Sequence, residues 1–193
     1  MNIAPRRPMG LAEFLAWEER QEQKWEYDGF APVATVGVTV AQAVIRRNLT
    51  TALHTRLRGT PCRFYGPELK VQVAGSIRYP DGFVACSPAA ANDRVIHDPV
   101  VLFEILSPST QAMDRIVKAR EYRDTPSAMR YVMLEQDRPA ATIHAREGDR
   151  WVVSILVAGE TLELPELGLS LPLDELYEDV PFEASPDEAD AEA

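Results

Sequence analysis

The sequence predicts an α/β fold, a sheet flanked by helices, and three observations carry that expectation. Helical spacing and strand-like runs alternate in the order helix, hairpin, helix, strands, helix, strands. Turn dipeptides, Asp28-Gly29 and Gly148-Asp149, fall between alternating apolar runs. No internal repeat or linker divides the 193 residues, a length that suits one sizeable core.

Each element has its own signal. Leu11 to about Gln23 reads as a surface helix, with Leu11, Phe14, Leu15 and Trp17 as an incomplete apolar stripe beside a charged face. "KWEYDGFAPVATV" alternates around Asp28-Gly29 as a hairpin, with Glu26 on or just before its first strand. From Val38 to Leu57, the residues Val40, Val44, Ile45, Leu49, Leu53 and Leu57 fall near one helical face. Short strands follow: "CRFY", "LKVQV", "SIRYPDGFVAC" and "VVLFEIL". "STQAMDRIVKAREYRDT" returns to helical spacing, with Ser109 or Thr110 as N-cap and Thr125-Pro126 as the stop. "MRYVMLEQ", "AATIHAREG" and "RWVVSILVAG" close the sheet, and Pro181 onward has the composition of a disordered tail.

Composition excludes several classes. No apolar run approaches the roughly 20 residues that cross a bilayer, and the N-terminus, with Glu13 and "WEERQEQKWE" close behind Arg6 and Arg7, lacks the core of a secretory signal, so no membrane partner and a cytoplasmic protein are expected. Cys62 and Cys86 lie 24 positions apart without a CxxC or a nearby His pair, so neither zinc nor a disulfide is expected; they read as small core residues. The net charge of −10 argues against a polyanionic partner only until the tail is set aside. From Tyr177 onward the chain carries seven acids and no base, and −10 less that −7 leaves −3. Only Lys24, Lys70 and Lys118 of the 20 basic residues are lysines, so a lysine at a meaningful position is informative.

The chain has no GxxxxGK[ST], GxGxxG after a strand, GxSxG or HExxH, which removes nucleotide loops, hydrolase elbows and zincins. None of His54, His97 and His144 lies beside a credible nucleophile. What remains is a set of carboxylates on strands. Asp81 opens "DGFVAC" and Glu104 interrupts "VVLFEIL", so neighbouring strands could bring them together as hard oxygen donors for Mg²⁺ or Mn²⁺. Asp114, Lys118 and Tyr122 are spaced by four and share a helical face from which Lys118 can look back at the strand ends. Taken singly, Asp114 and Lys118 read first as an i,i+4 ion pair on a solvated helix face, and Glu104 reads equally as a strand end that has reached water.

The combination is more specific than its parts. "YPD" at Tyr79 to Asp81, "FEILSPST" at Phe103 to Thr110, "DRIVKAREY" at Asp114 to Tyr122 and "YVMLEQD" at Tyr131 to Asp137 closely resemble the Uma-two family of restriction endonuclease-like proteins, within the PD-(D/E)XK nuclease superfamily. The resemblance covers a single domain over roughly residues 8–178, leaving a 1–7 extension and an acidic tail over 179–193. It implies a restriction endonuclease-like mixed central sheet flanked by helices. By the same resemblance Asp81 and Glu104 are metal ligands with the Ile105 carbonyl as a third, and Lys118 is the motif lysine, moved from the strand position occupied by Leu106 to the following helix. Glu26 matches an N-terminal acid often added to the metal site, and Asp114 and Tyr122 are supporting residues. The chain departs from the pattern at Ala41-Gln42, where relatives often carry a His, and at Tyr79, where an Arg commonly precedes the Pro-Asp pair.

The implied activity is Mg²⁺- or Mn²⁺-dependent endonucleolytic hydrolysis of DNA, in which Lys118 positions a water or offsets phosphoryl charge. Replacing Lys118 by Ala is expected to abolish cleavage with the fold intact. The competing reading is a catalytically inactive nuclease-like module that binds nucleic acid or a protein partner, with Arg46, Arg47, Arg56 and Arg58 as a local basic patch or as plain helix decoration. A homodimer would suit cleavage of both strands, and the sequence leaves that open.

Overall fold

The computed structural model describes residues 8–35, 37–107 and 112–182. The N-cap expected at Ser109 or Thr110, the 1–7 extension and the tail beyond Phe182 lie outside the described residues. The elements, in chain order, are α1 (Leu11–Glu18), β1 (Trp25–Tyr27), β2 (Pro32–Ala34), α2 (Val40–Arg56), β3 (Arg63–Tyr65), β4 (Lys70–Val73), β5 (Ser76–Arg78), β6 (Gly82–Ala85), β7 (Val95–Ile96) and β8 (Pro99–Leu106). A π-helical turn (Met113–Lys118) leads into α3 (Ala119–Arg123), followed by β9 (Arg130–Glu135), β10 (Ala140–Glu147), β11 (Arg150–Val157), β12 (Thr161–Leu164), β13 (Leu169–Pro172) and α4 (Leu173–Leu176).

The expected α/β architecture is present as a mixed sheet of six strands in the order β11-β10-β9-β8-β6-β3, with a second sheet of five in the order β2-β1-β5-β4-β7. Strands β8 and β9 pair in parallel and the other neighbours in the six-stranded sheet are antiparallel. The parallel pair needs a crossover, and the segment carrying Lys118 provides it. The centre of β8 is buried on both faces, which explains its nearly continuous apolar run. One face packs Phe103 and Ile105 against Ile45, Leu49 and Leu53 of α2 and against the β12–β13 hairpin. On the other, Leu102 and Leu106 meet Tyr122 of α3 and Tyr131 of β9.

Thr39 caps α2, its hydroxyl accepting the Gln42 N–H. Ile45, Leu49, Leu53 and Leu57 of the expected stripe are buried, but Val40, in the first turn, is 70% exposed because α2 begins beyond the sheet edge. Asp28 closes the β1–β2 hairpin by accepting the N–H groups of Phe30 and Ala31, and Gly29 adopts a positive φ of 89°. The run "SIRYPDGFVAC" is not one strand. Tyr79-Pro80-Asp81 carries the chain from β5 in the five-stranded sheet to β6 in the six-stranded one, so Asp81 stands where the two sheets meet.

The expectation for the cysteines fails. Cys62 and Cys86 form a disulfide. Strands β3 and β6 are antiparallel neighbours with Arg63 opposite Ala85, and one step further along the same register sets Cys62 against Cys86. A separation of 24 residues gave no sign of a pairing that strand register creates. At the C-terminal end, Tyr177 and Val180 are buried in the main core, so packing continues past residue 178. Among the described residues no helix is long and apolar enough to cross a membrane.

Candidate active site

The pairing of β6 with β8 assembles the first part of the site. Gly82 lies opposite Phe103, so the preceding Asp81 and the following Glu104 stand side by side where the two sheets meet. Glycine is required at 82, since a Cβ there would sit 2.5 Å from the Phe64 ring. The Ile105 N–H donates to Asp81 Oδ2 at 2.7 Å, locking the aspartate against the end of β8. From α2, the Gln42 amide donates to both Asp81 oxygens at 3.1 and 3.3 Å, and the Arg46 guanidinium donates Nε at 3.1 Å and Nη2 to Oδ1.

Behind Glu104 lies the crossover. Lys118 Nζ donates to Glu104 Oε1 at 2.9 Å and lies 3.0 Å from Asp114 Oδ1 and 3.7 Å from Glu26 Oε1. The Tyr122 hydroxyl also donates to Glu104 Oε1, at 2.7 Å, so neither contact uses Oε2. The π-helical turn accommodates this packing, its closing Ala119 N–H reaching back five residues to the Asp114 carbonyl. Such turns are uncommon and concentrate at functional sites. The surface ion pair that Asp114 and Lys118 suggest when read alone is absent, since both are buried.

Glu26 arrives from the other sheet. Its Oε1 accepts the Tyr79 N–H at 3.0 Å and its Oε2 lies 3.2 Å from Arg78 Nη1. Arg78 is fully buried and forks onto Glu121 of α3, with both donor distances at 2.7 Å. The structure thus gathers Glu26, Asp81, Glu104, Asp114 and Lys118 around a cleft of about 480 Å³, with Tyr122 directly behind Glu104. Ile105 contributes backbone at the same place.

Charge is the dominant feature of the cluster. Glu26, Asp81, Glu104, Asp114 and Glu121 face Arg46, Arg78 and Lys118, five carboxyl groups against three cations, a surplus of two negative charges once Glu104 is ionised and of one while it is protonated; exposed Lys24 and Glu68 at the mouth cancel. Burial pushes the Glu104 carboxyl up to about 8, with Asp114, Asp81 and Glu26 adding to the rise and Lys118 opposing it. Burial would lower Lys118, but Glu104, Glu26 and Asp114 outweigh it and hold the ammonium above its ordinary value. Burial, reinforced by Glu104, raises the Tyr122 hydroxyl, so it remains a donor.

The donor set fits a hard divalent cation in composition: all oxygen, buried, with two negative charges uncompensated once Glu104 is ionised. It is not a finished cage. Among the described residues no three His, Cys, Asp or Glu side chains are arranged to hold an ion, and Asp81 and Glu104 are each already paired with a cation. A site that takes one or two carboxylates and several waters needs no such cage.

Four residues of the cluster escaped sequence reasoning. Gln42 figured only as a departure and Arg46 only in a basic patch, although their i,i+4 spacing aims both at one target. That patch does not exist as such: Arg46 pairs with Asp81 and Arg56 with Glu175. Arg78 and Glu121 had no signal beyond a lone arginine in an otherwise buried strand.

The chain is similar over residues 11–174 to the Uma2 family model, described as "Putative restriction endonuclease". Two uncharacterized proteins of Synechocystis sp. are similar across nearly their whole length: slr1290 is 32% identical, covering 93% of this chain and 96% of its own, and sll1609 is 24% identical, covering 85% and 96%. The crystal structure of a "putative nuclease belonging to DUF820" from Anabaena variabilis shares the fold, with a TM-score of 0.72 at 17% identity over 88% of this chain and 98% of that one. With a mixed sheet of this topology, a carboxylate cleft where it meets the second sheet and a family match across most of its length, this chain belongs to the Uma2 family of restriction endonuclease-like proteins.

Proposed function

We propose that the protein is a metal-dependent endonuclease that hydrolyses DNA phosphodiester bonds. The observation that carries this reading is the convergence of Glu26, Asp81, Glu104 and Lys118, from two sheets and the crossover, on one buried cleft in which carboxyl groups outnumber cations. Asp81 and Glu104, with the Ile105 carbonyl and Glu26, are the groups that would hold Mg²⁺ or Mn²⁺. Such an ion supplies Lewis acidity and a water of lowered pKa.

The protein's own groups do the rest. Lys118, held by three carboxylates, is a fixed cation that orients an attacking water and offsets charge developing on the phosphoryl oxygens. Because its position is set before substrate arrives, little reorganisation is needed at the transition state. Tyr122 fixes the Glu104 carboxylate, and Asp81 is steadied by the Ile105 N–H. Cleavage of both strands would call for two copies of the chain, consistent with a homodimer.

One observation favours the inactive binding module instead: Arg46 and Gln42 already fill Asp81. A panel of supercoiled plasmid, linear duplex, single-stranded DNA and RNA with Mg²⁺ or Mn²⁺ separates the readings. Metal-dependent DNA cleavage that disappears in Glu104→Gln supports the nuclease. Cleavage of RNA alone reassigns the substrate, and no cleavage of any substrate favours the binding module.

A further inference from the structure

We infer that Arg46 is a switching residue that holds Asp81 in the metal-free protein and passes to a substrate phosphate when a divalent cation arrives, so that metal and nucleic acid bind cooperatively. This rests on the proposed metal site and concerns what stands in the way of it.

Three features support the handover. Oδ1 of Asp81 accepts two guanidinium N–H groups and an amide N–H, while Oδ2 accepts the Ile105 N–H and a second amide contact. A cation could reach this carboxylate only by displacing a donor, and the positively charged guanidinium is the one it repels. Arg46 is also able to leave. Its side chain keeps 20% of its exposure and lines the cleft, and among the described residues it pairs with Asp81 alone, whereas buried Arg78 is locked by both Glu26 and Glu121. Once released it remains tethered to α2 at the cleft wall, presenting a planar fork that matches phosphate oxygens. In the metal-free state that same fork is neutralised by Asp81, leaving the cleft a poor phosphate site.

The coupling must be reciprocal: metal strengthens phosphate binding by the factor with which phosphate strengthens metal binding. Removing Arg46 should therefore tighten metal binding alone and abolish the cooperativity. The test is calorimetric titration of Mn²⁺ into wild type, Arg46→Met and Arg46→Lys, with and without a short DNA duplex carrying a non-hydrolysable linkage. Circular dichroism confirms that each variant is folded. Expected is roughly 5- to 150-fold tighter Mn²⁺ binding in Arg46→Met, with the duplex no longer improving it. Arg46→Lys, which keeps the charge but not the fork, should fall between. If Arg46→Met binds Mn²⁺ no better than wild type, or the duplex still improves it as in wild type, the switch is wrong while the metal site stands. If no form binds Mn²⁺, the metal site itself falls and the switch falls with it.

Discussion

Replacing Glu104 with Gln should make the metal-free protein more stable at about pH 8, although it removes a residue proposed to be essential. In the unfolded chain this carboxyl has its ordinary value of 4.5, and the fold raises it to about 8, so the folded state holds the proton more tightly. Its contribution to stability is therefore fully present below about pH 4.5 and is lost as pH rises towards 8. At about 1.4 kcal/mol for each tenfold step in proton affinity, ionising Glu104 in place costs at most roughly 5 kcal/mol. The amide cannot ionise and still accepts from Tyr122 and Lys118, and the attraction of Lys118 for the carboxylate is already contained in the raised value, which it opposes. The net gain at about pH 8, where the folded carboxyl is half ionised, is about 4 kcal/mol, or roughly 8–16 °C for a domain of this size. Thermal melts of wild type and Glu104→Gln with EDTA, from about pH 5 to pH 8, read it directly. The curves should converge at the acid end and separate as pH rises. A variant less stable than wild type at pH 8, or the same pH dependence in both proteins, would refute the electrostatic reasoning.

Three further outcomes follow from the packing. Lys118→Met should abolish cleavage and also cost roughly 3–5 kcal/mol without metal, because it strips the shared cation from Glu104, Asp114 and Glu26; a denaturant titration checks this, and it departs from the expectation that an Ala at 118 leaves the fold intact. Joint replacement of Cys62 and Cys86 by Ala opens the loop closed over their 24-residue separation, for which chain entropy gives about 3.5 kcal/mol. Reduction of the wild type should lower its melting temperature correspondingly, by roughly 7–14 °C. Gly82→Ala drives a methyl into the Phe64 ring beside Asp81, and overpacking of this kind costs about 1–3 kcal/mol; its signature is a loss of activity greater than Phe64→Ala produces.

What could be read from the sequence was whatever depends on neighbours along the chain. The Asp28-Gly29 hairpin that presents Glu26, the apolar run around Glu104 and the spacing of Asp114, Lys118 and Tyr122 are local patterns, and the structure brings these three acids, the lysine and the tyrosine into one cluster with Asp81. What could not be read depends on which elements become neighbours in space. Arg46 and Gln42 matter because α2 lies across the mouth of β6, and Arg78 and Glu121 because β5 meets α3. The disulfide followed from the β3–β6 register, and the break at Tyr79-Pro80-Asp81 from the chain changing sheets within an apparently continuous strand. The cysteines were misjudged for the same reason that Arg46 was: spacing along the chain was read where spatial register decided.

The central claim is that the surplus negative charge at Asp81 and Glu104 is a divalent cation site. Calorimetric titration of Mn²⁺ into wild type and into the more stable Glu104→Gln tests it without relying on turnover. The expected result is stoichiometric binding by the wild type, with a rise in its melting temperature at about pH 8 by mass action, and loss of both in Glu104→Gln. A folded wild type that binds no Mn²⁺, or a Glu104→Gln protein that binds it equally well, would contradict the claim.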